Sequence, residues 1–363
     1  GGSAELNRAY LNDGHAVFTD ASATVFGATP DLCRSVKAGD LDGDGDLDVF
    51  AAGAWQTQSR MFRNDGGVFV EVTATQLPLD VISASDMVLG DVDADGDLDA
   101  VLGDSGSGNA LFGNGEVTRL WLNDGAGVFT DVTAAQMPSR KVGWSWDLAL
   151  ADVDNDHDLD LLISCKTCST SYLFLNDGLG MFVEAAGAIP PRSNNYDFEA
   201  MDVDGDGSVD LATINDGPGL GERLLLNDGA GQFIDATSTN LVGAANPGSD
   251  DNVSLFVDAD SDGHADIVVG SLSGEDRLLL NDGAGAFTLS PGAVSGPPSS
   301  GTLALAAADL NGDGKIDLVM AQGEVADDER VFLGVDIAVD TAPPSVDNVA
   351  LVGTALFLRA RVH

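Results

Sequence analysis

Short apolar runs of strand length alternate with polar turns through most of this chain. Asp147-Leu-Ala-Leu-Ala151 leads into an acidic loop and Leu159-Asp-Leu-Leu-Ile163 leaves it. Leu173-Phe-Leu175 and Met181-Phe-Val183 then flank an Asn-Asp-Gly turn, and an Asn/Asp-Gly pair between apolar runs is the strongest short hairpin signal. Helical periodicity is absent nearly everywhere. The pattern therefore predicts a unit of four antiparallel strands, with the acidic loop in the first hairpin and Asn-Asp-Gly in the third connection.

The unit recurs. Acidic loops start at Asp40, Asp91, Asp152, Asp202, Asp258 and Asp309, at spacings of 51, 61, 50, 56 and 51 residues. The turn centres on Asn12, Asn64, Asn123, Asn176, Asn227 and Asn281, with a degenerate copy around Val331-Phe-Leu-Gly334. Four-stranded units of this length cannot bury both faces alone, so they pack face to face around an axis, which predicts an all-β fold, a β-propeller. Six units are complete, and residues 1–22 supply only the third and fourth strands of another. The tail offers two more strands, 347–351 and 355–362. If they complete the split blade, the propeller has seven blades and both termini close it. In the competing reading Thr341-Ala-Pro-Pro344 is a linker, the propeller occupies 1–340, and 341–363 begin a following β-domain.

The first acidic loop, Asp40-Leu-Asp-Gly-Asp-Gly-Asp-Leu-Asp48, places five carboxylates in nine residues. Gly45 permits a turn that a Cβ would resist, so Asp40, Asp42 and Asp44 can converge while the Asp46 carbonyl and Asp48 close an all-oxygen shell suited to Ca²⁺. A single copy would read as a solvated acidic turn. Six copies in register read as metal loops. The EF-hand alternative requires a Glu at the twelfth loop position and flanking helices, but Ala51, Leu102, Ile163, Thr213, Val269 and Met320 stand there.

The loops Asp-x-Asp/Asn-x-Asp-Gly-x-x-Asp, paired with Gly-x-Phe segments, resemble the FG-GAP or VCBS repeats of integrin α-subunit-like propellers, over residues 5–340. The resemblance implies about six structural Ca²⁺, bound by side chains at loop positions one, three, five and nine and by the seventh carbonyl. The implied ligands are Asp40, Asp42, Asp44, Asp46 and Asp48, then Asp91, Asp93, Asp95, Asp97 and Asp99. The third loop offers Asp152, Asp154, Asp156, Asp158 and Asp160, with His157 replacing the turn Gly. The fourth offers Asp202, Asp204, Asp206, Ser208 and Asp210, and the fifth Asp258, Asp260, Asp262, His264 and Asp266. The sixth offers Asp309, Asn311, Asp313, Lys315 and Asp317, where the neutral Asn311 weakens the site.

Charge narrows the partners. With 59 acidic against 16 basic residues the formal charge is −43, and six Ca²⁺ would bring it to −31. Nucleic acid and anionic membranes repel such a surface, and membrane insertion is not expected because no apolar run reaches 18 residues. The opening Gly1-Gly2-Ser3 and a strand-like ending at His363 suggest a mature fragment or excised piece. Of three cysteines, Cys165 and Cys168 flank a two-residue turn that suits a local disulfide, leaving Cys33 as a buried thiol.

Arg8, Arg60, Arg119, Arg223, Arg277 and Arg330 each stand four residues before the turn Asn or its degenerate counterpart, with Tyr172 in the third complete unit, and this regularity argues for ion pairs within the scaffold. The remaining basic residues Arg34, Arg140, Lys141 and Arg192 fall in connections leading into first strands, near Trp144, Trp146 and Tyr196. Acidic loops follow first strands, so this cluster is expected on the opposite face, as a ligand surface or as filling between blades. The four His, at 15, 157, 264 and 363, show no nucleophile arrangement. The expected function is a non-catalytic extracellular binding, adhesion or assembly module for a glycan or protein partner. The alternatives are the propeller of a polysaccharide lyase or hydrolase and a self-assembling filament subunit.

Overall fold

The computed structural model describes residues 6–107, 115–215, 217, 219–294, 301–323 and 329–335. The chain is an all-β propeller in which six sheets repeat the predicted meander. Blades 1 to 5 (residues 33–71, 84–131, 148–184, 195–235 and 251–290) each have four strands in chain order, called a to d here, and blade 6 (302–332) shows three. Pairing is antiparallel throughout, as in blade 1, where Val36 faces Ala51 and Val49 faces Phe62.

The six a strands line a common cavity of about 330 Å³ with Lys37, Val88, Leu148, Glu199, Leu255 and Leu305 on its wall, which defines the axis. Three buried aspartates stitch neighbouring a strands. Asp86 accepts from Leu148 N (3.1 Å), Asp147 from Phe198 N (3.1 Å) and Asp197 from Ser254 N (2.9 Å).

Hydrophobic cores lie between blades rather than within one sheet. Phe50 and Met61 of blade 1 pack with Met87, Leu102 and Trp121 of blade 2, and the Phe50 and Trp121 rings stack at 6.1 Å. Each inner strand is covered on both faces, so the successive residues Phe50, Ala51 and Ala52 are all at most 1% exposed. This is why the strands read as apolar runs instead of strict alternation.

Asparagine side chains set the blade-to-blade register. Nδ2 of Asn123, Asn176, Asn227 and Asn281 donates to the carbonyl of the second residue in the preceding blade's acidic loop: Leu41, Val92, Val153 and Val203, at 2.7–2.9 Å. The N-terminal hairpin, Tyr10–Asn12 with Phe18–Asp20, makes the same contact to blade 6, Asn12 to Leu310 O at 2.8 Å. On its other side Phe26 meets Phe62 of blade 1 edge-on at 5.3 Å. The hairpin thus sits between the last and first sheets. The strands expected at 347–351 and 355–362 lie outside the described residues.

Four-residue helices follow the d strands at Ser22–Val25, Thr73–Gln76, Thr133–Gln136 and Thr237–Asn240. One turn carries no detectable period, so the sequence pattern does not reveal them. Gln76, Gln136 and Asn240 end three of them and donate to turn carbonyls of the next blade, Ala126, Leu179 and Gly285, at 3.0–3.1 Å. Among the described residues no helix is long and apolar enough to cross a membrane.

Candidate functional site

At one end of the propeller every a–b hairpin is an acidic loop of one design. The first Asp accepts backbone N–H groups inside its own loop, as Asp40 does from Gly43 (2.9 Å) and Gly45 (3.0 Å). The sixth residue takes a left-handed conformation: φ is +93° at Gly45, +99° at Gly96 and +81° at Gly314. His157 adopts it as well, at +78°, so the third loop keeps its shape at a steric cost that glycine avoids.

The ninth-position Asp is the keystone. Asp48 accepts Leu41 N (3.0 Å) on one oxygen and Asn64 N (2.7 Å) on the other, tying the loop to the c–d turn. Asp99, Asp160, Asp210 and Asp266 repeat this pair with Asn123, Asn176, Asn227 and Asn281. Asp317 repeats it with Leu310 and Gly334. Burial pushes five carboxyls up against the opposing pull of the N–H donors, Asp48 to about 6 and Asp99, Asp160, Asp210 and Asp266 to about 7. The turn glycine of Asn-Asp-Gly is favoured by its positive φ, +75° at Gly125 and Gly283, and at these two positions a Cβ would also displace a neighbouring side chain. A Cβ on Gly125 would lie 2.4 Å from Asp97, and one on Gly283 would lie 2.4 Å from His264.

Carboxylate oxygens of Asp40, Asp42 and Asp48 lie within 4.8 Å of one another, as do those of Asp91, Asp93 and Asp99, of Asp152, Asp154 and Asp160, and of Asp202, Asp204 and Asp206. Within these groups Asp42 Oδ1, Asp93 Oδ1 and Asp154 Oδ1 are buried with no hydrogen-bond partner among the described residues. Such atoms are costly to bury. An all-oxygen donor set of this kind fits a hard divalent cation.

The opposite end carries the b–c loops and the d-to-a connections, and it divides the expected ligand cluster. Trp144, Trp146, Tyr196 and Arg34 come together, each no more than 5% exposed. The indoles of Trp144 and Trp146 stack at 5.0 Å, and Tyr196 lies 4.4 Å from Trp146. The Arg34 guanidinium sits over both indoles, 5.0 and 4.2 Å from their centroids, and donates Nε to Ser85 O at 3.0 Å. Filling between blades and a basic aromatic cluster are therefore the same residues.

Arg140 and Lys141 instead form ion pairs. Arg140 binds Glu184 through two hydrogen bonds (2.8 and 2.9 Å) and stands over Tyr172, taking the place of the arginine that the third blade lacks. Lys141 pairs with Glu116, and Arg192 donates to Gly221 O at 2.9 Å. The recurrent arginines meet acidic partners: Arg8 with Asp20, Arg60 with Glu71, Arg119 with Asp104, Arg223 with Asp235, and Arg277 with Asp251.

Lys166 belongs to the cluster and has no marked signal in the sequence. Cys165 and Cys168 form a disulfide. The loop between them holds Lys166 over Tyr196 (4.3 Å) and Trp146 (5.1 Å), with Nζ hydrogen-bonded to the Tyr196 hydroxyl. Cys33 is the remaining thiol, half-buried, donating to Asn7 Oδ1 at 3.1 Å; burial pushes it up to about 12.

A third set lies between blades 4 and 5. Burial pushes Glu222 well above the carboxylate range, and neighbouring Asp251 adds to this. Asp251 is itself held low because hydrogen bonds from Glu222 and Arg277 outweigh its burial.

A repeated acidic-loop propeller defines a class, and the sequence agrees. The chain belongs to the FG-GAP-like repeat family, whose model matches residues 2–51, 40–102, 105–163, 202–269 and 258–320. Among solved structures the fold is similar to an Agrocybe aegerita lectin, described by its recognition of non-reducing terminal N-acetylglucosamine: TM-score 0.55, 17% identity, 86% of this chain and 81% of that one. The Vibrio cholerae biofilm matrix protein Bap1 matches at TM-score 0.45 and 14% identity over 84% of this chain and 45% of its own. A Bacillus licheniformis rhamnogalacturonan lyase matches at 0.39 and 13% over 84% and 72%. These likenesses concern the fold alone. No curated protein matches the chain.

Proposed function

We propose that this protein is a calcium-stabilised, non-catalytic extracellular binding module that recognises a glycan or protein partner with the end opposite its acidic loops. The observation that carries this is the division of labour between the ends. The ninth-position carboxylates are committed to backbone N–H groups on both oxygens, whereas the opposite end gathers Arg34, Lys166 and three aromatic rings, of which Trp144 lines a cavity together with Arg34.

Asp40, Asp42, Asp44 and Asp48, with their counterparts in the other loops, would hold Ca²⁺, a cation that neutralises the cluster and bridges strands a and b. Extracellular modules bind Ca²⁺ at about 0.1–1 mM, and cytosolic calcium would leave such loops largely empty. The Cys165–Cys168 disulfide supports the same compartment.

The N-terminal hairpin, seated on blade 6 in the register of every other blade, supports a seventh blade completed by 347–351 and 355–362. Deleting 341–363 then lowers the melting temperature; an unchanged melt would assign the tail to another domain.

Incubating the calcium-loaded chain with neutral and acidic polysaccharides tests the function. Saturable binding without chain cleavage is expected. Cleavage products would instead make it the propeller of a lyase or hydrolase, and filaments seen by electron microscopy would make it an assembly subunit.

A further inference from the structure

Blade 2 breaks the arginine pattern of its neighbours. Where the other units carry an acid at one place in strand d, that acid meets a guanidinium closely: Asp20 with Arg8 at 3.2 Å, Glu71 with Arg60 at 2.8 Å, Glu184 with Arg140 at 2.8 Å and Asp235 with Arg223 at 3.0 Å. These acids share one register, opposite Tyr10, Phe62, Phe174 and Leu225. Asp131, opposite Trp121, is their counterpart in blade 2. Its guanidinium lies 4.0 Å away, because Arg119 turns Nε and Nη2 to Asp104 at 3.3 and 3.1 Å.

One cation is thereby shared among three acids. Arg119 also stands 3.5 Å from Asp80 Oδ2, a buried atom with no hydrogen bond among the described residues. Lys141 does not relieve the deficit, since Glu116 holds it at 2.7 and 2.8 Å. Asp131 Oδ1 accepts Thr133 N at 2.9 Å, which leaves Oδ2 for a further donor.

A second departure opens space beside Asp131. Two residues before its arginine, blade 1 has Gln58, whose Nε2 crosses to Pro78 O at 3.0 Å. Blade 2 has Val117 at the matching place, and Pro138 follows the helix Thr133–Gln136 as Pro78 follows Thr73–Gln76. Valine is too short for that crossing and carries no donor. A cavity of about 540 Å³ lies there, with Val117, Ala134 and Met137 as its apolar wall and Asp131, Thr133 and Ser139 as its polar one. Asp131, Ala134 and Ser139 are exposed, so the space opens to solvent at the end away from the acidic loops. Its volume falls within the roughly 300–1,000 Å³ of ligand sites.

We propose that this cavity receives a lysine side chain of a partner protein, with the aliphatic stem along Val117 and Met137 and the ammonium at Asp131. A four-carbon stem with a compact charged head matches a site that is apolar along one wall and anionic at its rim. Lysine suits it better than arginine, because one free carboxylate oxygen does not serve a bidentate guanidinium. The formal charge of −43 draws cationic partners to the whole surface, and the cavity selects among them. The proposal rests on the binding reading above, in its protein form, and fixes one contact of that interface.

The test uses the full chain in calcium-containing buffer, labelled at its methionine methyls with an NMR-active carbon isotope. It follows the Met137 resonance, assigned by its absence from Met137→Leu. The probe is Nα-acetyl-lysine methylamide, and its Nε-acetylated form is the uncharged control. The probe is expected to shift the resonance saturably and to bind at least about tenfold more tightly than the control, the scale of a hydrogen bond to a charged group. Asp131→Asn removes that preference, and Val117→Gln, which restores the crossing of blade 1, abolishes the shift; a melting curve of each variant shows that it is folded. Equal binding of probe and control by the wild type, no shift with either, a shift that survives Val117→Gln, or tighter binding of cadaverine than of the lysine probe overturns the proposal. Where it fails while the wild type binds polysaccharide, only this contact is wrong and the glycan form of the reading stands; where neither binds, the binding reading falls with it.

Discussion

The two ends of the propeller handle charge in opposite ways. The acidic-loop end repeats one arrangement around the ring, with carboxylates at alternate positions and a buried Asp that joins loop to turn. The other end repeats little: Arg34, Trp146, Tyr196 and Asn252 each stand six residues before the first Asp of their acidic loop, yet only some of them join the cation–aromatic stack. Uniform chemistry at equivalent places maintains the frame. Chemistry that differs from blade to blade, mounted on that frame, can discriminate a ligand, because its neighbours are asymmetric.

Breaking the acidic end should have the largest effect. Chelation is expected to lower the melting temperature by more than about ten degrees, since binding at millimolar calcium adds on the order of 1 kcal/mol per loop. A melt unchanged by chelator would remove the distinction between the ends.

Next comes Asn123→Ala, which strips donors from Leu41 O and Leu98 O and should cost about 1–3 kcal/mol in chemical denaturation. Asn64→Ala removes two bonds within its own blade, to Leu47 O and from Gly67 N, and should cost less; equal losses would show that the inter-blade bond contributes nothing.

A pH series probes the Glu222, Asp251 and Arg277 set. Because the folded-state value of Glu222 is raised, its contribution is complete below the unfolded carboxylate value of about 4.3 and is lost as pH rises through the folded one. Glu222→Gln retains the neutral hydrogen-bonding form. Its melting temperature should therefore fall less than that of the wild type between pH 5 and 9, and parallel curves would refute the raised Glu222 value.

The smallest effect is a gain. His157→Gly should stabilise by about 1 kcal/mol, relieving the left-handed backbone at +78°. A loss would mean that the imidazole contributes more than it strains, for instance through its 3.5 Å approach to Asp152.

Much of the acidic end was legible from residue order because its chemistry is local. Asp40 to Asp48 form one short loop, and the turn residues Asn64 and Asp65 announce the hairpin that it meets. The recurrent arginines were legible for the same reason: the partner of Arg60 or Arg223 lies across one strand pair. The opposite end was legible only in part. Trp144, Trp146 and Tyr196 stood out by composition, but their assembly with Arg34 joins residues more than a hundred positions apart. Arg140 and Lys141, close to Trp144 in sequence, are drawn to Glu184 and Glu116.

The sequence by itself determined the repeat, the strand order within a blade and the carboxylate positions, because period, turn residues and loop spacing are short-range properties. Only the tertiary structure decided which side chains meet across blades: Asn12 on Leu310, Lys166 on Tyr196, and Arg34 above two indoles. The physical reason is closure. Bringing blades into a ring makes neighbours of residues that no local pattern links, and the packing between blades then decides which cations meet carboxylates and which lie over aromatic rings.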